Sequence, residues 1–350
     1  MAAPIRVATV LAAAAALLLA LGGGRAAHAD AVTNAKHFFW GQGQTGLAGT
    51  PADPLANDLI YHGGNAGSGA IGVEQKPAVY LIYWGQEWAD GFQTSDTDGK
   101  LYSSKTLQNY VNSFFGSVGG SKWAGVQTQY CSVVLAGATS CLGGSGFVTN
   151  PKNQLKGVWT DPTPVPDDIV TLGLAENLVD DPIAAEAQRA AGHFGYNPQA
   201  TYIVLTPPRP VATGQPVYCG YHSQTTSIDG LGNPDRLQYA FIPWQNTNWP
   251  GIGQGCGMHN VNATSNAFGN GIFDGWSIVT GHEYAEAVTD PDNFATWQDG
   301  WLDAQGSENG DKCAWIDTQN ITLGSHAFAV QPLWSNEAFD ATGNGCAVSR

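Results

Sequence analysis

Charge is scarce in this chain. Asp, Glu, Lys and Arg make up 12% of its 350 residues, about half of the roughly 25% usual for soluble domains. Positive charge is scarcest: 14 Lys and Arg stand against 29 Asp and Glu, a formal net charge of -15. A chain so poor in basic residues has no face with which to neutralise phosphates, which argues against nucleic acid as a partner. Few Lys, Glu and Arg also rule out a charged coiled coil, and 13 Phe, 12 Tyr and 12 Trp rule out a disordered chain. No CxxC pair occurs, so a zinc site built on cysteine is not expected. There is no G-x-S-x-G elbow, since Gly144-Ser145-Gly146 lacks the frame, and a serine triad is unsupported. Beyond the N-terminal stretch no run is long and apolar enough to span a bilayer. What remains is a loop-rich, acidic, globular protein with 45 Gly, large enough for a substantial core.

Residues 1–29 read as a secretory signal peptide. Arg6 precedes an apolar Ala/Leu run to Leu21, and Ala27-His28-Ala29 gives the small-x-small cleavage pattern. The competing reading, an uncleaved anchor, lacks a basic stop-transfer cluster. Cleavage would start the mature chain near Asp30, secreted and free of the membrane. It would also remove Arg6 and Arg25 and leave the protein more acidic still. Six cysteines in an exported chain imply three disulfides. The sequence-local pairing is Cys131 with Cys141, Cys219 with Cys256, and Cys313 with Cys346.

Residues 30–75, rich in Gly, Ala, Asn and Asp, read as an irregular arm or a pro-region, and residues 76–350 as a single globular domain. The arm holds no cysteine, so it cannot act as a thiol latch on a metal. Ala78–Trp84 is a continuous apolar run suited to a strand buried on both faces. Residues 201–206 read as a second buried strand and 238–242 as a third. Leu107, Tyr110, Val111 and Phe114 recur at helical spacing in 104–115, and Pro182–Phe194 opens on proline before an Ala-rich stretch. Strands alternating with helices predict an α/β or α+β domain, a mixed sheet with disulfide-stapled loops.

The chemistry is concentrated in residues 275–289, GWSIVTGHEYAEAVT. His282 and Glu286 are four apart, so on a helix they emerge one above the other, with Glu283 one step round. This is the geometry of the zinc-hydrolase helix His-Glu-x-x-His with the second His replaced by Glu. In that logic His282 and Glu286 hold the metal, and Glu283 is the general base for a metal-bound water. With only eight Glu and eight His in the chain, chance would give such a pattern about 0.004 times by match counting. The competing reading is an ordinary amphipathic helix with a hydrogen-bonded His and two surface glutamates.

Carboxylates follow densely: Asp290, Asp292, Asp299, Asp303, Glu308 and Asp311. A catalytic zinc needs a third protein ligand. Glu308, downstream of the helix at a distance like that used by thermolysin-like peptidases, ranks first. Asp292 ranks second and Asp290 third. Asp311 would then orient the ligating His from behind. One His with two carboxylates is an oxygen-rich set that also suits manganese or calcium. Calcium could further be served by Asp299, Asp303, Glu308 and Asp311, though their spacing is not that of an EF-hand.

The stretch Gly281-His282-Glu283-Tyr284-Ala285-Glu286-Ala287-Val288-Thr289-Asp290-Pro291, followed by Glu308-Asn309-Gly310-Asp311-Lys312-Cys313, resembles the plant EXORDIUM, or phosphate-induced, extracellular protein family. It is also similar to secreted proteins of actinobacteria and other soil bacteria, as is the strand around Val79–Gly85. The resemblance is close over 275–315 and loose over most of the mature chain. It implies an extracellular protein with a metallopeptidase-like core and carries over His282, Glu283, Glu286, Glu308 and Asp311. It does not carry Asp292. The plant members are associated with growth signalling, so the resemblance also allows a non-catalytic role.

The leading expectation is therefore a monomeric secreted zinc peptidase acting on polypeptides. Its rivals are a non-catalytic extracellular signalling or binding protein and a carbohydrate-active protein. The last would use Trp40, Trp84, Trp88 and Trp301 as stacking platforms beside paired carboxylates. His193, His222, His259 and His326 are each a candidate extra ligand or donor, but each reads more simply as a hydrogen-bonded structural residue.

Overall fold

A computed structural model describes residues 36–42, 57–64, 71–175, 180–211, 218–226, 236–245, 255–291 and 300–350. The leader 1–29, Asp292 and Asp299 lie outside the described residues. The core is a six-stranded sheet of β1 (His37–Trp40), β2 (Ala78–Trp84), β3 (Leu155–Asp161), β4 (Ala200–Leu205), β5 (Tyr218–Thr226) and β6 (Arg236–Ile242), in the spatial order β1-β5-β6-β4-β2-β3. Strands β6, β4, β2 and β3 run parallel, while β1 and β5 add an antiparallel edge. The sheet is thus mixed, with helices packed on it, as the alternation of apolar runs and helical periods implied.

The three apolar runs became the sheet's interior because both their faces are covered. Every residue of β4 and β6 is buried, and β2 is buried except at Tyr80. Helix α1 (Ser104–Val118) begins where the Ser103 side chain accepts the Thr106 N–H, and buries Leu107, Tyr110, Val111 and Phe114. Helix α2 (Pro182–Phe194) is capped by Asp181, which accepts the N–H groups of Ile183 and Ala184, with proline at its first position.

The arm read as irregular supplies two strands. His37–Trp40 is the sheet's edge strand β1, and Ile60–Gly63 pairs with Gly300–Leu302. Strand β1 is held at its start by Lys36, whose buried ammonium lies 2.9 Å from Asp181 and donates to the carbonyls of Gly173 and Ala175. A charge buried this way is tolerable only because all its donors find acceptors.

Helix α3 (Asp274–Thr289) carries the His-Glu-x-x-Glu motif, and all sixteen of its residues are buried. It lies on β5 and β6, and its far side is covered by α1 and by the hairpin of Gln319–Leu323 and His326–Val330. A surface helix would be amphipathic, whereas one enclosed on every side needs no polar stripe. Its polar residues are therefore there for partners inside the protein. Three disulfides form: Cys131–Cys141, Cys219–Cys256 and Cys313–Cys346. The second ties the start of β5, and the third pins the loop that follows Glu308. Among the described residues no helix is long and apolar enough to cross a membrane.

Candidate metal centre

Strand alternation and register build the floor of the site. Side chains two apart on a strand share a face, so His37 and Phe39 of β1 point toward α3, and Phe38 packs on Tyr218 and Tyr221 on the other side. In the antiparallel pairing His37 lies opposite His222, and Phe39 opposite Gly220. The two histidines are therefore cross-strand neighbours, with ring centroids 5.5 Å apart. Gly220 leaves room above itself: a Cβ there would come within 2.8 Å of Glu283 Oε1.

Helix α3 supplies the roof. His282 Nε2 lies 2.9 Å from Glu286 Oε1, and Phe39 stacks on the His282 ring at 3.7 Å. The Glu308–Asp311 turn closes the side. Asp311 donates its backbone N–H to Glu286 Oε1 at 3.0 Å, and its carboxylate lies 3.8 Å from His282 Nε2. Gly310 is required for this approach, since a Cβ would sit 2.8 Å from Glu286 Oε1 and 2.9 Å from His282 Nδ1.

Among the described residues, three sets of side chains bring their ligand atoms within 4.8 Å of one another: His282, Glu286 and Asp311; His37, His222 and Glu308; and His222, Glu283 and Glu286. The structure thus gathers five sequence-predicted residues, His282, Glu283, Glu286, Glu308 and Asp311, into one cluster, but distributes them differently. Asp311, expected behind the ligands, faces His282 and Glu286 directly. Glu308, expected to complete that set, turns instead to His37 and His222, because the turn at Gly310 points the two carboxylates in different directions. Asp290 is buried at the end of α3 and joins none of the three sets.

His222 was only one of several histidines in the sequence, and His37 was not singled out at all. The only available signal was that the edge strand and β5 each carry a histidine. The other histidines weighed as candidates serve elsewhere: His193 stacks on Trp159, His326 on Phe268, and His259 pairs with Asp96. Of the acidic residues weighed for calcium, Asp303 pairs with Lys312 at 3.1 Å, both fully buried, and Asp299 lies outside the described residues. Trp84, Trp88 and Trp301 are core residues rather than open platforms, and Trp40 is half-buried.

The residues fit a metal on two observations. The first is orphaned polar atoms: His282 Nε2, His222 Nε2, Glu283 Oε1 and Glu308 Oε1 are buried and make no hydrogen bond among the described residues. Such atoms cost about 1–3 kcal/mol each when nothing satisfies them. The second is tautomer control. Gln331 donates its amide to the Gly310 carbonyl at 2.8 Å, which turns its oxygen toward His282 Nδ1 at 3.3 Å. That oxygen can only accept, so in the neutral ring Nδ1 carries the proton and Nε2 presents a lone pair to Glu286 and Asp311. Tetrahedral ligands about 2.0–2.1 Å from a metal lie about 3.3–3.4 Å from each other, the scale of the separations seen.

Electrostatics point the same way. Burial alone would lower the proton affinity of His282, but the Glu286 charge outweighs it and raises the ring to about 9. Burial is likewise overcome at His37, raised to about 9 by Glu308, and at His222, which also lies well above its ordinary value. Burial lifts Glu283 to about 7 and Asp311 well above the usual carboxylate range. Glu308 is held low despite burial by His222 and His37. The carboxylates that draw protons onto these rings would equally hold a divalent cation, whose binding releases those protons.

No protein-family model, no curated protein and no solved structure matches this chain. Buried His, Glu and Asp groups able to hold a metal ion are thus established by geometry alone, without a relative to name the metal.

Proposed function

We propose that this is a secreted, metal-dependent hydrolase, a zinc peptidase in which His282, Glu286 and Asp311 hold the metal and Glu283 is the general base. The observation that carries the reading is His282 Nε2, buried, without a hydrogen bond, and turned by Gln331 toward two carboxylates. An imidazole among carboxylates suits zinc or manganese better than calcium, which prefers oxygen alone. When bound, such an ion polarises a carbonyl and makes water acidic near neutral pH. Glu283 has one oxygen 3.3 Å from His222 Nδ1 and the other unpartnered over Gly220, and in this reading it would accept a proton from water. Asp311 and His37, a quarter and a sixth exposed, mark the side from which a polypeptide would approach. Three disulfides support an oxidising, extracellular setting, in keeping with the leader at 1–29 and the EXORDIUM resemblance.

The depth of the cluster favours a second reading. His222, His282, Glu283, Glu286 and Glu308 are almost wholly buried, as suits a structural ion in a non-catalytic extracellular protein. Metal content of the mature protein, with casein or peptide hydrolysis by wild type and Glu283→Gln, separates the two. Stoichiometric metal with hydrolysis lost in the variant supports the peptidase. Metal without hydrolysis supports the structural role, and absence of metal sinks both.

A further inference from the structure

We propose that the protein holds a second divalent cation, at His37, His222 and Glu308, beside the one at His282, Glu286 and Asp311. The two sets share no residue, and each brings its ligand atoms within 4.8 Å of one another. The inference builds on the proposed function in one respect only, that the cluster takes divalent cations at all.

The decisive feature is the facing pair of His222 and Glu308. His222 Nε2 and Glu308 Oε1 are 3.3 Å apart, yet neither makes a hydrogen bond among the described residues. Both side chains are nearly inaccessible, at 2% and 0%. The opposite ring nitrogen, Nδ1, is spoken for: it lies 3.3 Å from Glu283 and 3.4 Å from Glu286. With a carboxylate accepting at Nδ1, the neutral ring carries its proton there. Nε2 then presents a lone pair to the lone pairs of Glu308. In that neutral state two buried acceptors 3.3 Å apart face one another, an arrangement that a cation between them would satisfy. His37 comes onto the other oxygen of Glu308, placed there by its register opposite His222.

Charge is compatible with a second ion. Glu283, Glu286, Glu308 and Asp311 bring four carboxylates together, three of them fully buried, and buried Asp290 also acts on His37. Beside a single dication, protons on His37 and His222 would answer the remaining carboxylates, and a second dication would take the place of those protons. Two imidazoles with one carboxylate is moreover a common ligand set for catalytic zinc, so the second site is nitrogen-rich and selects zinc over calcium. Glu283 stands between the sets, its Oε2 toward His222.

Zinc bound to the full mature protein after chelation, reconstitution with Zn2+ alone and desalting tests the inference. Two ions per chain are expected, falling to one in His37→Ala and to one in Asp311→Asn. Zinc-edge absorption on the wild type needs no variant to fold: three histidines shared over two ions are expected, against one histidine on one ion. A single ion per chain with one histidine overturns the second site and leaves the proposed function standing. No bound ion overturns both. Two ions retained in a folded His37→Ala protein overturns the assignment of these ligands.

Discussion

Removing Gln331 tests whether the protein positions His282 for a metal. The Gln331→Leu variant keeps most of the side-chain volume but breaks two contacts, the 2.8 Å bond to the Gly310 carbonyl and the 3.3 Å contact with His282 Nδ1. Gln331 is fully buried, so water cannot readily replace either. Each group left unpaired costs about 1–3 kcal/mol, giving about 2–6 kcal/mol of stability, a large part of the roughly 5–15 kcal/mol typical of a folded domain. Without the acceptor the His282 ring is free to place its proton on Nε2. Loss of such outer partners lowers metal affinity about 10- to 100-fold, or about 1.4–2.7 kcal/mol. Urea unfolding measures the first effect, and zinc titration against a competing chelator measures the second. Gln127→Leu is the control. It removes a buried glutamine that donates to the Ala285 carbonyl on the same helix at 2.9 Å, without touching a ligand, and should lower stability while leaving zinc affinity unchanged. Zinc bound as tightly by Gln331→Leu as by wild type would refute the positioning argument.

Further outcomes follow from other contacts. Gly310→Ala places a methyl within 3 Å of Glu286 and His282, and should cost about 1–3 kcal/mol by overpacking while weakening zinc binding, read by the same titration. Lys312→Met strands the buried Asp303 carboxylate and should destabilise by about 3–5 kcal/mol in urea. Replacing both partners with apolar residues should recover much of that loss. The Asp96–His259 pair, 2.5 Å apart, predicts a pH window. The hydrogen bonds of Asp96, to His259 among others, hold it below its ordinary value against burial, and His259 is raised against burial by Asp96. The stabilisation is therefore full between the unfolded values of about 3.9 and 6.5. It is lost as pH falls through the lowered Asp96 value or rises through the raised His259 value. The melting-temperature gap between wild type and His259→Asn should be widest in that window, and a gap independent of pH would contradict the pairing.

The parts of the fold written locally could be read in the sequence. Ala78–Trp84 is apolar throughout because both its faces are covered, and the motif on α3 shows because His282, Glu283 and Glu286 lie within one turn of helix. The disulfides were legible because each closes a short local loop. Long-range register was not. His37 reaches the site only because β1 pairs with β5 so that it falls opposite His222, and nothing near His37 announces that partner. The roles of Glu308 and Asp311 depended on which way a tight turn around Gly310 sends two carboxylates three residues apart, which spacing along the chain does not encode. The arm looked irregular because β1 is a four-residue edge strand whose stability comes from β5 and from the buried Lys36 ammonium.

The central claim is that the buried cluster between α3 and the antiparallel edge of the sheet binds metal. Anomalous diffraction at the zinc edge, from crystals of the mature protein saturated with zinc, tests it most directly. A strong peak bounded by His282 Nε2, Glu286 and Asp311 is the expected result. A zinc-saturated crystal with no anomalous density among these residues would contradict the account.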